Sequence, residues 1–223
     1  MPVSQFGEPR GLKGWLAAHL VARLTGEANR WMVDCLQVGP HDRLLDVGCG
    51  PGLAVAAAAA RASEGLVVGV DTSGTMVRLA RRRNRAAVRQ GRVEIRQADA
   101  ARLPYPDHHF TRAGSLNSLQ FWTSPPQGLL ELFRVLEPGG RVAVVMMARS
   151  DDPPGPGIPP WLDETAERVR AAGFEGLEVA SETFGGVVHH GLLAVRPAHP
   201  NPGKRGGAPL DPTADGVRKG AGP

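Results

Sequence analysis

Cysteine is scarce. Cys35 and Cys49 are the only two in the chain, each within an apolar stretch, which excludes a disulfide framework and argues against a zinc site. Tyrosine is scarcer: Tyr105 stands alone, and no lysine follows it at the spacing of the Tyr-x-x-x-Lys pair of nicotinamide-dependent reductases. Lysine itself is confined to Lys13, Lys204 and Lys219, with arginine supplying every other basic position. We read that bias as a genome-wide codon preference, which the coding sequence tests. No stretch approaches the ~20 apolar residues of a membrane span. The opening residues, MPVSQFGEPRGLKGW, lack the charged-then-apolar pattern of a secretory signal. No Gly-Lys-Ser/Thr completes a glycine turn, so a P-loop is excluded. These absences predict a cytoplasmic protein with no membrane span and no bound metal.

What remains is an ordinary soluble composition. A chain of 223 residues, 42% hydrophobic and 22% charged, suffices for one α/β domain with a real core. The net charge of +4 and a pI near 9.7 are mildly basic. By itself that does not argue for nucleic acid.

The most informative stretch is Leu44–Leu53, LLDVGCGPGL. Leu44, Leu45, Asp46 and Val47 read as a short buried strand, Gly48, Gly50 and Gly52 break it, and an alanine-rich helix begins near Ala54. Glycine lets the backbone press close to a ligand, and the helix N-terminus behind offers unpaired N–H groups. The G-x-G-x-G spacing differs from the G-x-G-x-x-G of a dinucleotide pyrophosphate turn. A second buried strand, Leu66–Val70, ends at Asp71, about 20 residues beyond the loop, where a carboxylate is placed to accept ribose hydroxyls; the bland alternative for Asp71 is a helix cap.

The rest of the chain follows an alternating strand–helix pattern. Leu12, Trp15, Leu16, Leu20 and Leu24 mark one amphipathic helix, and Ala28, Trp31, Met32, Cys35 and Leu36 a second. Both read as packing elements, with a lid over the glycine turn as the alternative and Asn29 and Trp31 as candidates for its inner surface. Gly74–Gln90 reads as one helix whose arginines form a solvated face, since no aromatics interleave them. Strands are expected at Val93–Gln97, Phe110–Asn117 and Arg141–Met147, with a helix at Gln127–Leu136. A helix at Leu162–Ala172 precedes an antiparallel strand pair, Leu177–Thr183 and Val187–Arg196, around Gly185-Gly186. Residues 1–11 read as a flexible lead, 12–197 as the domain, and 198–223 as a disordered tail rich in Pro and Gly.

Four blocks in this order resemble the class I S-adenosylmethionine-dependent methyltransferases, most closely the small-molecule group related to quinone and sterol methylases. LLDVGCGPG resembles motif I, VVGVDTS (67–73) motif II, QADAARLPYPDHHF (97–110) the adenine-binding loop, and LFRVLEPGGRVAVV (132–145) the closing helix–turn–strand. The resemblance spans roughly residues 28–196. It implies a Rossmann-like, doubly wound seven-stranded sheet with the last strand antiparallel, N-terminal lid helices, and S-adenosyl-L-methionine as cofactor. It also implies that Asp46, Gly48, Cys49, Gly50 and Gly52 line the methionine end of that cofactor. Asp71 would hold the ribose hydroxyls, Thr72 and Met76 the adenosine, Asp99 with Ala100 the adenine edge, and Leu116 and Asn117 would face cofactor and acceptor. Two departures stand out. Thr111 occupies the place of a common aspartate after Phe110, which removes an expected supporting hydrogen bond. No (Asn/Asp)-Pro-Pro-(Tyr/Phe) follows the fourth strand, which argues against methylation of amino groups on nucleic-acid bases.

A methyl donor of this kind needs chiefly alignment and exclusion of water, so no nucleophilic triad is required. The expected function is methyl transfer by in-line displacement to a small, apolar or aromatic acceptor. RNA methylation, non-catalytic binding of the cofactor and NAD-dependent oxidoreduction are the alternatives. A hydroxyl or carbon acceptor calls for a general base; His108, His109, His189 and His190 are the histidine clusters that offer one, but each is expected in a loop or on a solvent-facing strand position, and no catalytic residue is assigned. Phe121, Trp122 and Trp161 are candidates for an apolar acceptor pocket, with core packing the equal alternative. The acceptor atom and the oligomeric state are not legible.

Overall fold

The structure, a computed structural model, describes residues 26–148, 152 and 159–198. Within them the chain runs α1 (Gly26–Cys35), β1 (Arg43–Val47), α2 (Leu53–Arg61), β2 (Leu66–Asp71), α3 (Gly74–Arg83), α4 (Arg85–Arg89), β3 (Val93–Gln97) and β4 (Phe110–Leu116). A single 3-10 turn (Leu119–Phe121), α5 (Pro125–Val135), β5 (Leu136–Met147), α6 (Pro160–Ala171), β6 (Glu175–Phe184) and β7 (Val187–Val195) complete it. The expected lead, first amphipathic helix and tail lie outside the described residues.

The strands form one seven-stranded sheet in the order β3-β2-β1-β4-β5-β7-β6. β1 through β5 pair in parallel, and β7 runs antiparallel to both β5 and β6. The chain order reverses direction between β1 and β4, which opens a crevice at their carboxyl ends, where ligands of doubly wound sheets sit. Near-continuous apolar runs are what a parallel sheet covered on both faces demands. Accordingly, Leu44, Val67, Ala143 and Val145 bury against Met32, Val33, Val55 and Ala58 on one face. Leu45, Val68, Val142 and Val144 bury with Leu129, Leu132, Leu162 and Val169 on the other. Each fully buried aliphatic side chain contributes about 1.5–3 kcal/mol.

The strand positions agree with the periodicity, and the differences have local causes. The helix expected over Gly74–Gln90 breaks at Asn84, whose Nδ2 donates to Ala80 O at 3.0 Å and to Gly52 O at 3.1 Å. That side chain ties the glycine loop to α3. β5 begins earlier than expected, because Leu136 pairs with Phe110 before the strand is displaced at Pro138-Gly139-Gly140 and rejoins at Arg141–Arg112. Helix α1 is docked on the sheet rather than held over the glycine turn: Met32 and Val33 are in the core, and a Cβ on Gly114 would meet Met32 Cε at 2.9 Å. α1 therefore has the packing role expected of it. Asn29 is buried, and Trp31 lies over Gly191 of β7.

The Thr111 departure is also resolved. Its Oγ1 accepts the Arg43 N–H at 3.0 Å and lies 2.7 Å from Asp42 Oδ1, to which it donates. The supporting bond between β4 and the start of β1 is present, made by a hydroxyl.

Candidate cofactor and acceptor site

The glycine loop leaves β1 directly above the crevice. The N–H groups of Gly48 and Cys49 both donate to Val70 O, at 2.8 and 2.9 Å, so the loop is latched onto the end of β2. All three glycines have positive φ: +72° at Gly48, +51° at Gly50 and +77° at Gly52. At Gly48 the demand is steric as well, since an added Cβ would lie 2.2 Å from Ser118 Oγ. That hydroxyl donates to Val47 O and accepts from Trp122 Nε1, both at 2.9 Å. Trp122 thus packs on the core while its indole N–H holds the segment after β4 against the glycine loop. At Gly50, by contrast, an added Cβ would meet nothing within 4 Å. The backbone there borders open space, as a cradle for a ligand requires.

Two carboxylates flank this cradle. Asp71 ends β2, and its Oδ2 accepts the Gly50 N–H at 2.9 Å while Oδ1 accepts the Ser73 N–H at 2.8 Å. The side chain thus stabilises the turn into α3 and anchors the glycine loop, but it is not the helix cap. The true N-cap is Ser73, whose Oγ accepts from Met76 N–H. Burial raises the Asp71 pKa above the ordinary aspartate value, partly offset by the two backbone bonds. Asp46 is deeper. Desolvation, then repulsion from Asp71, push its pKa up to about 7, and no hydrogen bond counteracts them. A buried carboxylate with no donor is costly unless a cation or donor reaches it.

The remaining site residues fall around the same crevice with mixed environments. Met76 and Ala100 are buried beneath it, and Thr72 is exposed at its rim. Cys49 is buried, and its thiol is pushed well above the usual range by desolvation and the two aspartates, which keeps it protonated and inert. Asp99 is already engaged: Oδ1 accepts Ala101 N–H at 2.9 Å and Oδ2 accepts Thr123 Oγ1–H at 2.8 Å. Its turn-cap role is real, and Thr123 is a partner that the sequence did not signal. Asn117, with φ +53°, follows Leu116 at the carboxyl end of β4, and its Oδ1 accepts the Met147 N–H at 2.7 Å.

The histidines divide differently from expectation. His108 and His109 precede β4, at the opposite edge of the sheet from the glycine loop. His189 and His190 are not solvent-facing; both are buried, and they pair with Met147 and Met146 at the carboxyl end of β5. Phe121 is exposed, whereas Trp161 lies edge-on to His190. The arginine-rich face of α3 and α4 is exposed as expected, with Arg81 and Arg83 spending donors on Ile95 O and Pro51 O.

Comparison with known proteins places this arrangement. The family model described as a methyltransferase domain matches residues 45–144, from β1 to β5. The uncharacterized methyltransferase YdaC of Bacillus subtilis is 27% identical over 74% of this chain and 88% of its own length. The ubiquinone/menaquinone biosynthesis C-methyltransferase UbiE of Geotalea daltonii is 33% identical over 52% of this chain. The chain spans only half the length of that relative. Among solved structures, a SAM dependent methyltransferase from Aquifex aeolicus superposes with a TM-score of 0.62 at 22% identity, covering 78% of this chain and 93% of its own. That last likeness concerns the fold. The open cradle at Gly50 and the two carboxylates beside it all lie within the stretch that matches the methyltransferase domain. From β1 to β5, then, this chain is similar to methyltransferases.

Proposed function

We infer that this chain transfers a methyl group from S-adenosylmethionine to a small apolar or aromatic acceptor in the cytoplasm. The observation that carries the reading is the glycine cradle tied to Asp71, with the donorless carboxylate of Asp46 buried behind it. In this reading the cofactor's ammonium meets Asp46, and the backbone of Gly48, Cys49, Gly50 and Gly52 lines the methionine end. The lone pairs that Asp71 does not give to Gly50 and Ser73 accept the ribose hydroxyls. Thr72 and Met76 lie against the adenosine, Asp99 and Ala100 at the adenine edge, and Leu116 and Asn117 between cofactor and acceptor.

Bound there, the cofactor supplies a methyl group already activated by its positive sulfur. The chain's part is to hold the acceptor in line and keep water out. The small-molecule class is supported by the quinone-directed name of the Geotalea relative. An arginine face without interleaved aromatics, partly spent on backbone carbonyls, supports no nucleic-acid partner. Among the described residues no helix is long and apolar enough to cross a membrane.

Calorimetric titration with S-adenosylhomocysteine, S-adenosylmethionine and NAD in parallel tests the reading. Micromolar binding of the first two without NAD is the expected result. Binding of NAD alone overturns it.

A further inference from the structure

Among the described residues, two side-chain polar atoms wholly out of contact with solvent lack a hydrogen-bond partner: Asn117 Nδ2 and His189 Nε2. They flank the same residue. Asn117 binds Met147 from the β4 side through Oδ1, and His189 is the register partner of Met147 on the β7 side. Both lie at the carboxyl edge of the sheet, beside the crevice described above. A buried polar group left unpaired costs about 1–3 kcal/mol, so two at one place call for an occupant.

The chemistry of each atom is fixed by what its neighbour atom already does. Met147 N–H is a donor, so the Asn117 atom facing it is the oxygen, and the orphan is an NH₂ group that donates only. His189 Nδ1 lies 3.2 Å from Val187 O, and a carbonyl only accepts. Nδ1 therefore carries the proton, and Nε2 of the neutral ring is a bare lone pair. Burial, with a lesser contribution from His190, lowers the His189 pKa and keeps the ring neutral. The surroundings are otherwise apolar: Phe184 is 5.6 Å from the imidazole between ring centroids, and Met147, Val187 and Val188 are exposed large apolar residues beside it. The ionisable groups nearest in register are His190 and, across on β6, the exposed Glu182.

We propose that this edge is the acceptor's polar anchor. His189 Nε2 takes the proton of an acceptor hydroxyl, and Asn117 Nδ2 donates to an oxygen of the same molecule. The inference rests on the methyltransferase reading and deepens it by naming the acceptor as a hydroxyl compound with an apolar body. The step is a proton transfer: the O–H bond breaks, its electron pair stays on oxygen, and the proton forms the Nε2–H bond of an imidazolium. The oxygen so freed is the nucleophile, and the apolar surround excludes water that would compete with it.

The test uses the full chain saturated with S-adenosylhomocysteine, with 4-nitrophenol as probe, because its absorbance reports ionisation, and 4-nitroanisole as the hydroxyl-free control. Nitrophenol is expected to bind at least tenfold more tightly than nitroanisole and to gain phenolate absorbance when bound. His189→Gln retains an oxygen that accepts from the hydroxyl but holds no proton. It should therefore keep binding within a few fold and lose the phenolate band. Asn117→Ala should weaken nitrophenol several-fold while leaving the phenolate band of the bound probe in place. Equal affinity for the two probes, no binding of nitrophenol, or a phenolate band that survives in His189→Gln overturns the proposal. S-adenosylhomocysteine affinity, measured in each variant, separates the two failures. Its loss in the unsubstituted chain sinks the methyltransferase reading, whereas normal affinity with indifferent probes sinks only the anchor.

Discussion

Gly50 N–H donates to Asp71 Oδ2 at 2.9 Å across 21 positions of sequence. This bond joins the loop after β1 to the tip of β2, so the two halves of the cofactor crevice are one hydrogen-bonded unit before any ligand arrives. Ser73 N–H on the other carboxylate oxygen fixes the side chain's orientation, which is the kind of preorganisation that lowers the cost of binding.

Asp71→Ala should weaken S-adenosylhomocysteine by about 1.5–3 kcal/mol, the worth of hydrogen bonds to a charged group. It should also lower the melting temperature, because two backbone donors lose their acceptor. Calorimetry and thermal melting of the same preparation check both. Unchanged affinity in a folded variant would remove Asp71 from the site.

Asp46 makes the free protein sensitive to pH near neutrality. Its folded pKa of about 7 lies above the ordinary aspartate value of 3.8, so the folded state holds this proton more tightly than the unfolded one. Its contribution is therefore fully present below about pH 4 and is lost as pH rises through 7, a change on the order of 4 kcal/mol from the shift alone. Asp46→Asn should flatten this part of the stability profile, read by urea unfolding from pH 5 to 8. Cofactor binding runs the other way. It needs the carboxylate, so affinity should fall roughly tenfold per unit below pH 7 and lose that dependence in the asparagine variant.

Gly48→Ala combines a positive φ of +72° with a Cβ placed 2.2 Å from Ser118 Oγ. The backbone strain alone is worth about 1–3 kcal/mol, and displacing Ser118 breaks the bond to Trp122 Nε1. A lower melting temperature together with a shift in tryptophan fluorescence is the expected outcome. Gly50→Ala, where the added methyl meets no atom, should melt closer to the unsubstituted protein and lose cofactor affinity instead. Equal behaviour of the two variants would contradict the division of labour between these glycines.

Arg134 holds the loop that carries Asp99 and Ala100. Its guanidinium donates to Leu103 O at 3.1 Å, to Tyr105 O at 2.8 Å and to both oxygens of Glu131 at 2.8 Å. Glu131 in turn accepts Leu103 N–H. Arg134→Met should speed amide exchange at Leu103 by an order of magnitude or more, matching a loss of about 1.5–3 kcal/mol, while β1 and β2 amides stay protected. Uniform loss of protection would show that the loop is not a separate unit.

The sequence by itself determined the sheet, the glycine turn and the acidic tip of β2. Those features are local: apolar runs of strand length, glycine at positive-φ positions and a fixed distance to Asp71 are all written in neighbouring residues. The same local reading marked the arginine face as solvated, since nothing interleaves it. It failed where the deciding partner was distant in sequence. Asn84 breaks a helix because Gly52 is 32 positions away, and Thr111 replaces an aspartate because Asp42 lies beside it in the sheet. His189 and His190 look solvent-facing along β7 until side chains from elsewhere cover them, Phe184 against the first and Trp161 against the second. Only the tertiary structure set the Asn117 amide and the His189 imidazole on either side of Met147. Their free atoms are defined by hydrogen bonds to backbone groups, Met147 N–H and Val187 O, and backbone groups are the same in every sequence. No pattern of side chains announces them; the pairing of strands does.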